Sequence, residues 1–236
     1  VDDVFARHDS LCIGFDWRAD QWLRYGGESV DQLADWTTLL TLGDAVSERK
    51  LRLFLCACGR HIWDGIEKEP HRQTVEVGER FADGQATEEE RAASHRLASL
   101  TIGAGHHATL SCARDRFTVK EARSTAKIAA GPRYKLGSRE KDTAFTRHNQ
   151  LHYALLLRDV FGDTLRPLPF DSRWRPETAL ALAAGIYDEK AFDRLPILAD
   201  ALEEAGCDSA VVLNHCRSDH PHVRGCWVID RVLGKV

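Results

Sequence analysis

Helix start and stop signals recur along this chain, while no sustained alternating β pattern does, and that contrast constrains the fold more than any other feature. Ser47 is placed to cap a helix whose Leu51, Phe54, Leu55, Cys58 and Ile62 recur every three or four residues as one apolar face. Pro70 suits the first turn of the next helix, which carries Val75, Val77 and Phe81 and is closed by Gly84. Thr87 and Glu90 form a capping box, each side chain meeting the other's backbone N–H, ahead of a helix that carries Leu97 and Leu100. Gly103 and Gly105 interrupt the pattern. A long polar helix is then expected from His106 to Ala130, stopping at Gly131-Pro132, and another from Ser138 to near Gly162 with Phe145, Leu151, Leu155 and Leu156 as its stripe.

Pro167, Pro169 and Pro176 make 162–176 a connector, since proline cannot continue a helix. Beyond it helices are expected over Pro176–Tyr187, Asp193–Ala205, Asp208–Cys216 and Val223–Leu233, with Asp193 and Asp208 as N-caps and Gly206 as a C-terminal stop. The expectation is an all-α fold, an irregular array or bundle of about nine to eleven helices. It divides into a helical region 1–161, the connector 162–176 and a helical region 177–236, or forms one continuous domain.

The chain is long enough, at 236 residues, to bury a substantial core. No apolar run reaches the roughly 18–20 residues of a membrane span, and the N-terminus lacks a basic-then-apolar leader pattern. Seven cysteines, an odd number without small-scaffold spacing, favour reduced thiols. Together these features point to a cytoplasmic protein. The net charge of −4 gives no general attraction to nucleic acid, but its distribution is uneven: −7 over residues 1–113, +6 over 114–147 and −3 over 148–236. Within the basic stripe Lys120, Arg123 and Lys127 share one helical face, as phosphate tracking would need. Phe117, Tyr134 and Phe145 are few aromatics for stacking bases, and the acidic first block offers the stripe a partner within the chain.

Chemistry-bearing residues concentrate near the C-terminus. Cys216, His220, His222 and Cys226, with His215 adjacent, supply enough nitrogen and sulfur for a tetrahedral zinc if Pro221 folds the segment back. The bland alternative packs Cys216 and Cys226 in the core and leaves the histidines on a turn. Cys56, Cys58 and His61 form a smaller cluster in which only Cys58 and His61 share a face. His148 and His152 have the spacing of a metalloprotease helix, but Asn149 stands where the catalytic Glu would be. Gly103, Gly105 and His106-His107 lack the Lys-Ser/Thr of a phosphate loop, and there is no nucleophile elbow or dinucleotide fingerprint.

Several segments resemble a helix-rich paralogue family, of no established activity, abundant in planctomycete-type bacteria. They are Leu51–Trp63, Leu156–Gly162, Ile186–Cys207, His215-Cys216-Arg217 and Pro221–Asp230. The resemblance covers roughly residues 48–83 and 154–234. Family members read Gly-Pro-His where this chain has His220-Pro221-His222, and carry a further Cys at the position of Gly59. The resemblance therefore implies His215, Cys216, His222 and Cys226 as the better ligand set. The reading that follows is a non-enzymatic binding or regulatory module with an unknown protein partner and no required cofactor. Its alternatives are a zinc enzyme or zinc-stabilised domain using the C-terminal cluster, and a nucleic-acid binder using residues 114–147.

Overall fold

A computed structural model describes residues 46–101, 106–116, 118, 121, 152–162 and 169–235. The fold is all-α. Nine α-helices and no strand occur among the described residues: α1 Glu48–His61, α2 Glu69–Ala82, α3 Glu88–Ser99, α4 His106–Cys112, α5 over 152–162, α6 Glu177–Glu189, α7 Leu195–Glu204, α8 Ala210–Cys216 and α9 Trp227–Leu233. No described helix is long and apolar enough to cross a membrane. Residues 163–168 of the expected connector, and Cys12, Gly103, Gly105, Phe117, Tyr134, Phe145, His148, Asn149 and Leu151, lie outside the described residues.

The local start signals act as the sequence implies. Ser47 accepts from the Lys50 N–H at 3.3 Å, Pro70 sits in the first turn of α2, and Thr87 and Glu90 close their reciprocal box at 3.2 and 2.8 Å. Gly206 leaves α7 with φ +88°. Two apolar clusters form. The first gathers Phe54, Leu55, Cys58, Val75, Cys112, Leu156 and Phe161 from α1, α2, α4 and α5. The second gathers Ala183, Ile186, Leu198, Leu202, Val212, Cys216, Trp227 and Ile229 from α6 to α9. A polar layer joins them: Arg49 of α1 donates to Asp230 of α9 at 2.8 Å and to Tyr187 of α6 at 2.8 Å, while Lys50 donates to the carbonyls of Val160 and Gly225. The six described cysteines are buried free thiols.

Four boundaries differ from expectation. The helix expected over 106–130 stops at Cys112 because buried cations capture the carbonyls beyond it: Arg52 binds those of Cys112, Arg114 and Asp115, and Arg91 that of Ala113. Carbonyls held by side chains cannot continue an intrahelical ladder. A new capping pair follows, Glu121 N–H to Thr118 and Thr118 N–H back to the Glu121 carboxylate. Asp193 does not cap α7, because Phe192–Arg194 winds a 3₁₀ turn straight into it, and Asp208 does not cap α8, which Ser209 precedes. The last helix starts at Trp227 rather than Val223, since Gly225 at φ +91° reverses the chain. A Cβ there would also press to 3.1 Å from Leu53, so glycine serves both the turn and the close approach. On α3 the buried face is Arg91, Ser94 and Ala98, whereas Leu97 and Leu100 are 49% and 85% exposed.

Candidate metal centre

The turn between α8 and α9 folds the C-terminal cluster onto α5. His215 occupies the last turn of α8, His222 the returning loop and Cys226 the residue before α9. Asp159 comes from α5, where Leu155 and Leu156 flank it on the same buried stripe. One ligand-type atom from each of Asp159, His215, His222 and Cys226 lies within 4.8 Å of the others. His222 Nδ1 is 2.7 Å from Asp159 Oδ1, and His215 Nε2 is 3.2 Å from both Asp159 Oδ1 and Cys226 Sγ. The Val223 backbone N–H donates to Asp159 Oδ2 at 2.9 Å. The side chains of Asp159, His215 and His222 are almost wholly withdrawn from water, and Cys226 is buried.

The structure brings together three of the four ligands that the family resemblance implies, with Asp159 as the fourth member of the group. Cys216 supplies no atom to this group; it is buried in the second apolar cluster, to which Cys226 also belongs. Adjacent residues on a helix point about 100° apart, so His215 and Cys216 leave α8 in different directions. His220 packs its ring 4.1 Å from that of His222 and 4.8 Å from that of His215. Asp159 was legible only as a lone carboxylate on an apolar stripe. Of the other candidates, Cys56 and Cys58 are core thiols, and His61 stacks on the His152 ring at 3.7 Å. Lys120, Arg123 and Lys127 lie outside the described residues.

Proton positions follow from the partners. Asp159 accepts from His222 Nδ1, so the neutral His222 ring carries its proton there and leaves a lone pair on Nε2. That Nε2 is buried and has no hydrogen-bond partner. Trp227 Nε1–H can only donate, and it donates to His215 Nδ1 at 3.0 Å, which puts the neutral His215 proton on Nε2. Gly162 makes that bond possible: a Cβ would lie 2.7 Å from both Trp227 Cδ1 and Nε1. Burial, reinforced by Asp159, holds the Cys226 thiol well above its ordinary pKa. Burial would raise the Asp159 carboxyl as well, but its contacts with His222 and His215 outweigh it and hold it well below the usual range.

This geometry is not a cysteine–histidine–carboxylate catalytic triad. Such a triad needs thiol and carboxylate on opposite ring nitrogens, whereas both lie at His215 Nε2 and Trp227 takes Nδ1. The arrangement can instead hold a cation. A carboxylate oxygen, imidazole nitrogens and a thiolate are the donor set of zinc-class ions.

The histidines also make the fold sensitive to acid. Burial drives His215 down to about 4, against the pull of Asp159, and His220 down to about 3. The unfolded chain protonates both near 6.5, so it binds more protons than the native state as pH falls from about 6.5 to 4. Stability is therefore fully present above pH 6.5 and lost below it, on the order of 2 kcal/mol per ring by pH 4.5. Urea denaturation at pH 7 and pH 4.5 should show this fall, and equal midpoints at the two values would contradict it.

No protein-family model, curated protein or solved structure matches the chain.

Proposed function

We propose that the chain is a helical binding module whose C-terminal half is clasped to α5 by a structural zinc-class centre at Asp159, His215, His222 and Cys226. One observation carries the reading: a carboxylate, two imidazoles and a thiol from separated parts of the chain converge within 4.8 Å in a buried place. Four protein ligands closed to solvent suit a structural ion, because catalytic zinc keeps a position open to water or substrate. His222 supports the reading through its unpartnered, buried Nε2. A divalent cation would also supply the positive charge that a Cys226 thiolate beside Asp159 lacks.

A second reading rests on the Trp227–His215 bond. A metal on His215 Nε2 displaces the proton there, and a ligating histidine ordinarily donates from its other nitrogen. Here the other nitrogen receives a donor, so metal binding requires Trp227 to leave it. Without a metal, Asp159 accepts from His222, His215 and Val223 as a purely hydrogen-bonded clamp.

The two readings separate in one experiment. Protein purified without chelator is analysed for zinc and iron, then stripped and titrated with zinc while tryptophan emission and proton release are followed. The metal reading expects about one equivalent, displaced protons, and a change in emission that Trp227→Phe abolishes. It also expects Trp227→Phe to bind metal more tightly, because the competing donor is gone. Under about a tenth of an equivalent, with no zinc-dependent emission change, would establish the hydrogen-bonded clamp instead.

A further inference from the structure

The buried Lys50 of α1 holds the backbone beside two members of the proposed metal centre. Its ammonium has three oxygens within reach, one for each N–H: the carbonyls of Val160 at 3.1 Å and Gly225 at 2.9 Å, and Asp230 Oδ2 at 2.7 Å. Val160 follows Asp159 in α5, and Gly225 precedes Cys226 in the turn before α9. One cation thus ties together two stretches of backbone that carry ligand side chains. Through Asp230 it also holds α9, one helical turn beyond Cys226. Lys50 itself is not part of the ligand group.

Other contacts of α1 converge on the same backbone. Lys50 and Leu53 lie three residues apart on one helical face, and Gly225 fits closely against it, since a Cβ there would stand 3.1 Å from Leu53. Phe54 packs its ring 5.6 Å from that of Phe161, two residues beyond Asp159. Arg49 binds both oxygens of Asp230, at 2.8 and 3.1 Å. The α5 helix and the turn before α9 are therefore both seated on α1. An ammonium withdrawn from water is expensive unless fully bonded, and an apolar side chain would fill the same space at lower cost. What Lys50 adds over such a side chain is a fixed spacing between Val160, Gly225 and Asp230.

We infer that Lys50 is a positioning residue of the metal centre, so that affinity for a zinc-class ion depends on the docking of α1, none of whose residues belongs to the ligand group. This rests on the metal reading of Asp159, His215, His222 and Cys226. Ions of that class take short, directed bonds of roughly 2.0–2.3 Å, so the ligands must close inward together. If Val160 and Gly225 part, Asp159 and Cys226 part with them and one bond is lost. The coupling is reciprocal: an ion that fixes the spacing of α5 and the turn also strengthens their hold on α1. Metal in the C-terminal region thereby tightens its attachment to the N-terminal one.

The test is titration of the full, metal-stripped chain with cobalt(II), whose thiolate charge-transfer absorption reports the bond to Cys226. Lys50→Gln is expected to bind cobalt about 10–100-fold more weakly, with less of that absorption per bound ion. Arg52→Lys, which weakens the same helix at the end of α4, should bind as wild type does. In wild type, bound cobalt should also slow hydrogen exchange of the amides at 50–54, a measurement that decides the matter if Lys50→Gln does not fold. Unchanged affinity and spectrum in Lys50→Gln, equal loss in Arg52→Lys, or exchange at 50–54 indifferent to the ion overturns the proposal and leaves the centre standing. Tighter binding in Lys50→Gln overturns it too, since Lys50 would then act only as a repelling charge. A wild type that takes up no cobalt refutes the metal reading itself, and the role of Lys50 with it.

Discussion

Asp159→Ala is expected to destabilise the fold by about 3–5 kcal/mol and to reduce any bound metal below a tenth of an equivalent. Both losses come from one buried carboxylate. It faces two imidazoles and one backbone N–H, at 2.7, 3.2 and 2.9 Å; alanine leaves His222 and Val223 without an acceptor and His215 with only the weakly accepting Cys226 sulfur. Asp159→Asn separates the two roles. The amide oxygen can still accept from Val223 or His222, so much of the stability should return. It lacks the charge that favours a cation, so metal binding should stay weak. Chemical denaturation with elemental analysis of both variants checks this. A loss of less than about 1 kcal/mol in Asp159→Ala would mean that Asp159 is not the hub of this site.

The difference between Asp159 and its partners shows why the site was half legible. His215, His222 and Cys226 lie within a dozen residues, so a single turn brings them together and the sequence displays them as a cluster. Asp159 arrives from α5, and its partnership depends on how that helix packs on the C-terminal loop. Nothing local to 152–162 encodes that packing. The fold divides along the same line. Ser47 and Thr87 cap helices by bonds to backbone three residues on, and such bonds are written in the local sequence. The end of α4 was misplaced because it is set by Arg52 and Arg91, side chains of other helices. The exposed Leu97 and the buried Arg91 have the same origin. Helical spacing shows which residues share a face of α3, but here the face that packs inward is the one whose arginine has carbonyls to bind.

Arg52 offers the second large effect. It is 1% exposed, and its guanidinium donates to the Cys112, Arg114 and Asp115 carbonyls at 2.9, 2.8 and 3.2 Å and to the Glu48 carboxylate at 2.6 Å. Its plane also lies 4.8 Å over the Phe81 ring. Glu48 is half exposed and regains water when the arginine is removed, so most of the cost arises at the carbonyls beyond α4. Arg52→Leu keeps an apolar stem in the core but removes every donor, and is expected to cost about 3–5 kcal/mol. Arg52→Lys should recover only part of this, because one ammonium group cannot reach three carbonyls as a planar fork does. Hydrogen exchange distinguishes this local role from general softening of the core. In Arg52→Lys the amides of residues 108–116 should lose protection first, while those of α7 and α8 keep theirs. Uniform loss across all helices would show that Arg52 supports the core as a whole and not the end of α4.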